Sequence, residues 1–340
     1  MYGRDSPGGQ SVTVIGGANL DINGFSRDPL IMADSNPGRV EYCPGGVGRN
    51  IAENLHRLGA DVRFIGVIGD DPGGELIRNS SAAIGLNIKH SLFVKSEGRL
   101  SSVYIALMDS NGEMKLALAD MDVAERMTKE HLESKAGLIA ESAIVVLDAN
   151  LPEKIICFIL DRFGQGLWPG QRPGHRPGHR PLFFLDTVSA RKAPRAASRV
   201  GSVDTLKLGL AEASAVSGVA IPDEAAMPEK IEKLGETAAW FCGRGARRVF
   251  ITLGKEGVFA CGAGKQFFRP APYVKPLNTS GGGDAFMAGI VYGTLRGWDE
   301  EIAVSFSLAM ARITVQSGSA VSPDMNLELV QKNMDGGSRM

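Results

Sequence analysis

Asp284 stands directly behind three consecutive glycines, in Ser280-Gly281-Gly282-Gly283-Asp284, and an apolar, helix-compatible run follows over residues 285–295. Ordering glycine costs more conformational entropy than ordering any other residue, so three together need a reason, either a flexible loop before a helix or a backbone cradle for an anion. At the first turn of a helix the unpaired backbone N–H groups and the positive end of the dipole favour an anion. Glycine there lets phosphoryl oxygens approach the main chain with no Cβ in the way. A carboxylate at that turn can cap the helix. It can also act as a general base, taking the proton of an attacking hydroxyl as charge builds on a phosphoryl group. Two familiar cradles are excluded. The chain has no G-x-x-x-x-G-K-[ST] loop, and Lys255 in T-L-G-K-E-G lies outside that context. Gly46-Val47-Gly48 lacks the preceding strand and third glycine of a dinucleotide fingerprint.

The elements that must position such a site are short strands alternating with helices. Residues 12–17, 62–68, 143–147, 182–185 and 249–253 read as buried strands. Ile51, Ala52, Leu55 and Leu58 follow helical spacing up to Gly59, and residues 72–84 read as a helix closed by Gly85. This alternation predicts a parallel sheet covered on both faces. Two regions break the rhythm. Residues 21–43 lack helical spacing, and residues 100–120 read as two strands joined by the hairpin signal Asp109-Ser110-Asn111-Gly112. Together they predict a small β-lid that would exclude water from the sheet's edge. One α/β domain over residues 12–325 is expected, with a loose tail at 1–11 and a C-terminal tail at 326–340. Residues 164–181 carry the repeat R-P-G-H-R-P-G-H-R-P, an expected exposed insertion. His175 and His179 within it make a poor metal cage, because structural sites need several fixed ligands.

Bulk composition narrows the partners. The 340 residues are 44% hydrophobic, ample for a core, and 37 basic side chains face 38 acidic ones for a net charge of −1. That balance, with only 6% aromatics, argues against nucleic acid and an anionic membrane surface. No stretch of about 18 apolar residues suggests a membrane span, and no apolar leader stands at the start. Four cysteines without a C-x-x-C pair fit free thiols in a reducing compartment, so a cytoplasmic location is expected.

Four glycine-rich motifs occur in a definite order: G-G-A-N-L-D at 16–21, P-G-G-V-G-R-N at 44–50, G-D-D-P-G-G at 69–74 and S-G-G-G-D at 280–284. Together they resemble the signatures of the PfkB, or ribokinase-like, carbohydrate kinases, from about Val12 to Pro323 without the R-P-G-H insertion. The resemblance implies a three-layer α/β/α sandwich with a mostly parallel central sheet and a small β-lid. It makes Asp284 the catalytic base and the N–H groups of Gly281, Gly282 and Gly283 an anion hole. Asp21 and Asn50, with the backbone at Gly45 and Gly46, would hold ribose hydroxyls, and a carboxylate with an amide can satisfy a vicinal diol. Asn19 and Asn150 would lie near the substrate. Residues 32–40, 111–114, 119–122 and 185–192 resemble the branch acting on C-glycosidic nucleosides. That likeness implies ATP-dependent phosphorylation of the ribose 5′-hydroxyl of pseudouridine, with Ser35 and Asn36 of the lid reading the base edge. Thr252, Gly254 and Gly257, with Ser317 and Gly318, would line ATP. Glu212 would position Mg²⁺ through water, Asn278 and Thr279 would border a monovalent cation such as K⁺, and the lid would pair two subunits into a homodimer.

Three departures from the family pattern stand out. The usual G-A-G-D is Gly281-Gly282-Gly283-Asp284, a less preorganised loop, which predicts slower turnover. The usual K-P-N-x-x-E runs from Lys207 to Glu212 with Gly209 in place of asparagine, and Thr187 follows Asp186 where the closer pattern has proline. Water can replace one polar group near Mg²⁺. These changes leave two alternatives beside the leading reading. One is a kinase for another nucleoside or a pentose. The other is a non-catalytic nucleoside- or sugar-binding protein, against which the retained Asp284, Glu212, Asp21 and Asn50 count.

Overall fold

Strands with apolar residues at every position can be buried on two faces at once. The computed structural model, which describes residues 10–95, 101–164, 180–222, 225–262 and 264–335, shows that arrangement. In chain order the strands are β1 (Val12–Ile15), β2 (Asn19–Ser26), β3 (Gly38–Gly45), β4 (Val62–Ile65), β5 (Val67–Gly69), β6 (Leu92–Val94) and β7 (Val103–Met108). They continue with β8 (Met114–Asp120), β9 (Ile144–Asp148), β10 (Leu182–Asp186), β11 (Thr205–Gly209), β12 (Arg248–Thr252), β13 (Gly257–Gly262) and β14 (Lys265–Pro270). Among the described residues an eight-stranded sheet has the order β14-β13-β12-β11-β10-β9-β1-β4. It is parallel from β4 to β12, and β13 and β14 add an antiparallel edge. Val12, Val14, Ile144, Val146, Phe184 and Phe250 share one core with helices Val47–Arg57, Gly282–Leu295 and Glu300–Val315. Val145, Leu147, Phe183, Leu185, Val249 and Ile251 share the other with helices Glu153–Phe163 and Met227–Cys242. Alternate strand positions thus serve opposite layers, and the sandwich is the expected one.

The two regions that interrupt the rhythm meet in a second, four-stranded sheet of order β3-β2-β7-β8. Its hairpin turn forms where the D-S-N-G pattern stands. The Asp109 carboxylate accepts from the N–H groups of Asn111 and Glu113, at 2.9 Å each, and Gly112 supplies a φ of +80°.

Some expectations need correction. Residues 62–68 are two strands, because the chain leaves the main sheet at Gly66, where a Cβ would stand 2.7 Å from the Phe64 ring. β5 then pairs with β6 in a separate sheet. The segment expected as a C-terminal tail contains the helix Leu327–Asp335. Leu327, Val330 and Met334 keep helical spacing, Val330 is fully buried, and all three pack into the first core. Residues 165–179, with His175, His179 and nearly all of the expected insertion, lie outside the described residues. Beyond them Arg180 makes a paired bond to Asp204, at 2.8 Å to each oxygen. No helix among the described residues is long and apolar enough to cross a membrane.

Candidate active site

Parallel strands deliver their carboxyl ends to one edge, and ligands of open α/β sheets bind there. Gly16 and Gly17 follow β1, Asp148 and Asp186 end β9 and β10, Gly209 ends β11, and Thr252 ends β12. Facing them is the helix Gly282–Leu295. Its start takes in the glycines ahead of the apolar run: Gly281 takes a left-handed conformation (φ +79°) as its N-cap, and Gly282 and Gly283 form its first turn.

Asp284 makes no capping bond in that turn. Its carboxylate accepts from Asn50 Nδ2 at 2.9 Å, and both side chains are buried. Burial pushes the Asp284 carboxyl up to about 7, Asp186 and Asp148 add to the rise, and Lys207 and Asn50 oppose it. A carboxyl poised near neutrality suits proton transfer better than an ordinary one.

Asn50 sits in the first turn of Val47–Arg57, whose N-cap Gly46 has φ +101°. A Cβ on Gly46 would stand 2.5 Å from the Gly17 carbonyl oxygen, so two glycine loops lie backbone to backbone. Asp148 ties them to the sheet: its two oxygens accept from Gly17 N–H and Asn150 N–H, each at 2.8 Å. Burial pushes Asp148 up to about 6. Asp21, on β2, rests its carboxylate against Gly45 and accepts from the Asn19 amide. Burial raises Asp21 to about 6, opposed by Asn19 and Arg49. Asn150 borders a recess shared with Gly17, Val67, Ser102 and Leu151, and its Oδ1 accepts from Lys192 Nζ at 2.5 Å.

Asp21, Asn19, Gly45, Gly46, Asn50, Asn150 and the Gly281–Asp284 turn are thus linked through contacts around one strand edge. Ser35 and Asn36 are not drawn into that network. They occupy the exposed loop between β2 and β3, where Asn36 accepts from Ile31 N–H at 2.8 Å and donates to the Ile31 and Asp34 carbonyls.

On the other side of the cradle, Glu212 Oε2 accepts from Gly209 N–H at 2.7 Å and from Thr187 Oγ at 2.5 Å. Its Oε1 has no hydrogen-bond partner among the described residues. Thr252 lies opposite Gly209 in the sheet register. Gly254 and Gly257 turn the chain into β13 with φ of +54° and +132°. Leu277 and Asn278 donate their N–H groups to the Val315 carbonyl, which lays this segment along the end of Glu300–Val315 beside Ser317 and Gly318. The Asn278 oxygen accepts from Ser280 N–H at 2.9 Å and so closes its own turn next to exposed Thr279.

Three buried charges escape a reading of the sequence as site residues: Asp148, Asp186 and Lys207. A signal is present, since V-V-L-D and F-F-L-D each end an apolar strand in aspartate, an expensive residue to bury without a use.

The chain matches pfkB family carbohydrate kinase over residues 10–326. It is 31% identical over 317 residues to pseudouridine kinase of Escherichia coli K12, covering 93% of this chain and 94% of that one. The crystal structure of a putative sugar kinase from Clostridium perfringens superposes with a TM-score of 0.78 at 30% identity, over 96% of each chain. A ribokinase of Arabidopsis thaliana, complexed with ribose and ATP, shares the fold with a TM-score of 0.76 at 20% identity, over 96% of this chain and 98% of that one.

Proposed function

The chain belongs to the pfkB family of carbohydrate kinases, and within that family we propose that it transfers a phosphoryl group from ATP to the ribose 5′-hydroxyl of pseudouridine. As a sugar or nucleoside kinase it acts on a hydroxyl group. The carrying observation is the buried Asp284 carboxylate, held by Asn50 at the glycine-built N-terminus of a helix. The choice of pseudouridine rests on likeness to a kinase of that name.

In this reading Asp284 accepts the proton of the 5′-hydroxyl as its oxygen attacks phosphorus. The N–H groups at Gly281 to Gly283 take up the negative charge of the transferring group. Asn50 fixes the carboxylate and, with Asp21 and the bare backbone at Gly45 and Gly46, holds the ribose. Thr252, Gly254, Gly257, Ser317 and Gly318 flank the cradle on the side left for the nucleotide. The residues fit magnesium, which binds through few protein carboxylates and retains waters: Glu212 keeps Oε1 open while Gly209 and Thr187 hold its other oxygen. Bound there, the ion would offset phosphate charge. At Asn278 and Thr279 a potassium ion would share the Asn278 oxygen with Ser280 N–H, since an amide oxygen has two lone pairs.

ADP release with Mg-ATP, compared among pseudouridine, uridine, ribose and no acceptor, tests the assignment. Pseudouridine should give the highest kcat/KM. A preference for ribose or uridine would overturn the acceptor and leave the kinase standing.

The same reading includes a homodimer. The β-register places Tyr42, Ile22, Ile105 and Leu118 in one row across all four strands of the second sheet, and Val40, Gly24, Leu107 and Leu116 in the next. Tyr42 and Val40 on one edge strand and Leu116 and Leu118 on the other are about 60% exposed, an apolar face of the kind that a partner covers. The opposite face carries Asp21 and so belongs to the site. A net charge of −1 sets no barrier between two copies. Sedimentation should give a dimer and Leu116→Glu a monomer. A monomeric parent protein at tens of micromolar would sink this.

A further inference from the structure

Lys207 is a cation sealed from water. Its Nζ lies 3.0 Å from Asp186 Oδ2, and the two side chains are only 8% and 1% exposed. Neighbouring parallel strands set the pair, with Asp186 of β10 opposite Lys207 of β11 in the register. The ammonium also reaches under the cradle, since a Cβ added to Gly283 would stand 2.8 Å from Nζ. A buried ion pair is weak evidence for stability, because apolar residues of similar volume often serve as well. Its position points to another use.

We propose that Lys207 is a positioning residue for Asp284: a buried ammonium, locked by Asp186 and roofed by the Gly283 backbone, that favours the ionised form of the Asp284 carboxylate against its burial and its acidic neighbours. The inference rests on the reading of Asp284 as the base. The charges bearing on Asp284 are Asp186 from β10, Asp148 from β9 and Lys207 from β11. From Val47–Arg57 the facing group is neutral Asn50, while Arg49 is paired with Glu53 at 2.9 Å. Glu212 bears on Lys207 from beyond β11. Several carboxylates therefore surround one ammonium. Without it they would repel one another, and proton uptake would relieve the repulsion. A protonated Asp284 cannot take the proton of a hydroxyl. The same geometry explains Gly283, since any side chain there would displace the ammonium.

The test is the pH dependence of kcat/KM for ADP release, using Mg-ATP and the best of the four acceptors above. Lys207→Met should move the acid limb upward by about one pH unit. Asp186→Asn should move it downward, because it removes a like charge and leaves Lys207 to Asp284. Gly283→Ala should move it upward by pushing the flexible lysine end aside. Should Lys207→Met not yield folded protein in a thermal melt, the other two variants, with opposite shifts, decide the matter. Lower rates at every pH with an unmoved limb, or shifts of one sign in all variants, would make the pair mere scaffold and overturn the inference. Asp284→Asn separates the two levels. If it keeps parental turnover, the base reading fails and this inference with it. If it abolishes turnover while the limb stays fixed in the other variants, only the Lys207 assignment falls.

Discussion

Asp284→Asn should lower kcat by roughly 10²–10⁴-fold, the usual contribution of a general base, and at the same time raise thermal stability. Both effects come from one cause. Asparagine has the same shape and can still accept from Asn50, but it cannot take a proton from a hydroxyl. The carboxylate it replaces is held in the interior against its own solvation, which is why burial lifts the group from 3.8 to about 7. At about 1.36 kcal/mol per pH unit, that lift corresponds to a penalty on the order of 4 kcal/mol for the ionised form in the fold. The sign follows from linkage. Between about 4 and about 7 the folded protein holds a proton that the unfolded chain has released. The group's stabilisation is therefore complete below about 4 and lost as pH rises through about 7. Asparagine has no such loss, so its advantage over aspartate should be large at pH 8 and small at pH 5. Turnover of the parent protein should run the other way and rise through about pH 7 as the base ionises. Melts at the two pH values, with ADP release beside them, check the pair of claims. Equal stabilisation at both pH values, or turnover within a few-fold of the parent, would count against the base reading.

What can be read from the chain depends on how local its cause is. The helix at 72–84 is legible to the residue, because Asp71 caps Gly74 N–H and Gly85 ends it in a left-handed turn, all within one short segment. The cradle is legible for the same reason: the three glycines and the apolar run behind them mark the first turn of the helix, which begins at Gly282 behind the N-cap Gly281. The break at Gly66 is not legible. A Cβ at that position would meet the Phe64 ring and the Gly16 carbonyl, and Gly16, just past the end of β1, is brought there only by the fold. In the sequence Lys207 stands out only as the first residue of a motif. Its meaning lies in Asp186, 21 positions earlier, which only the strand pairing brings opposite. The turn residues around Asn36 announce a loop correctly. No sequence signal could say that the Asn36 amide would be used up within that loop rather than turned toward the site.

Of the glycines that build the site, Gly281 should tolerate a side chain least. Its φ of +79° costs an L-residue about 1–2 kcal/mol by itself. An added Cβ would also overlap the carbonyl of Ala320. At Gly283 the obstacle is the end of a flexible lysine, which can swing away. At Gly281 it is backbone, so either the helix start or the turn at 317–320 must move. Overpacking of that kind adds about 1–3 kcal/mol, and Gly281→Ala should lose roughly 2–5 kcal/mol in all. The displacement falls where Asn278 meets Gly318 and where the first helical N–H groups point out. The KM for ATP should therefore rise together with a fall in kcat, rather than either changing alone. Gly137→Ala is the control, because a Cβ there meets nothing within 4 Å inside a short helix, and its melt should match or slightly exceed the parent's. If Gly281→Ala melted with Gly137→Ala and kept its KM for ATP, the left-handed cap would be incidental, and the anion would have to be held by something other than this turn.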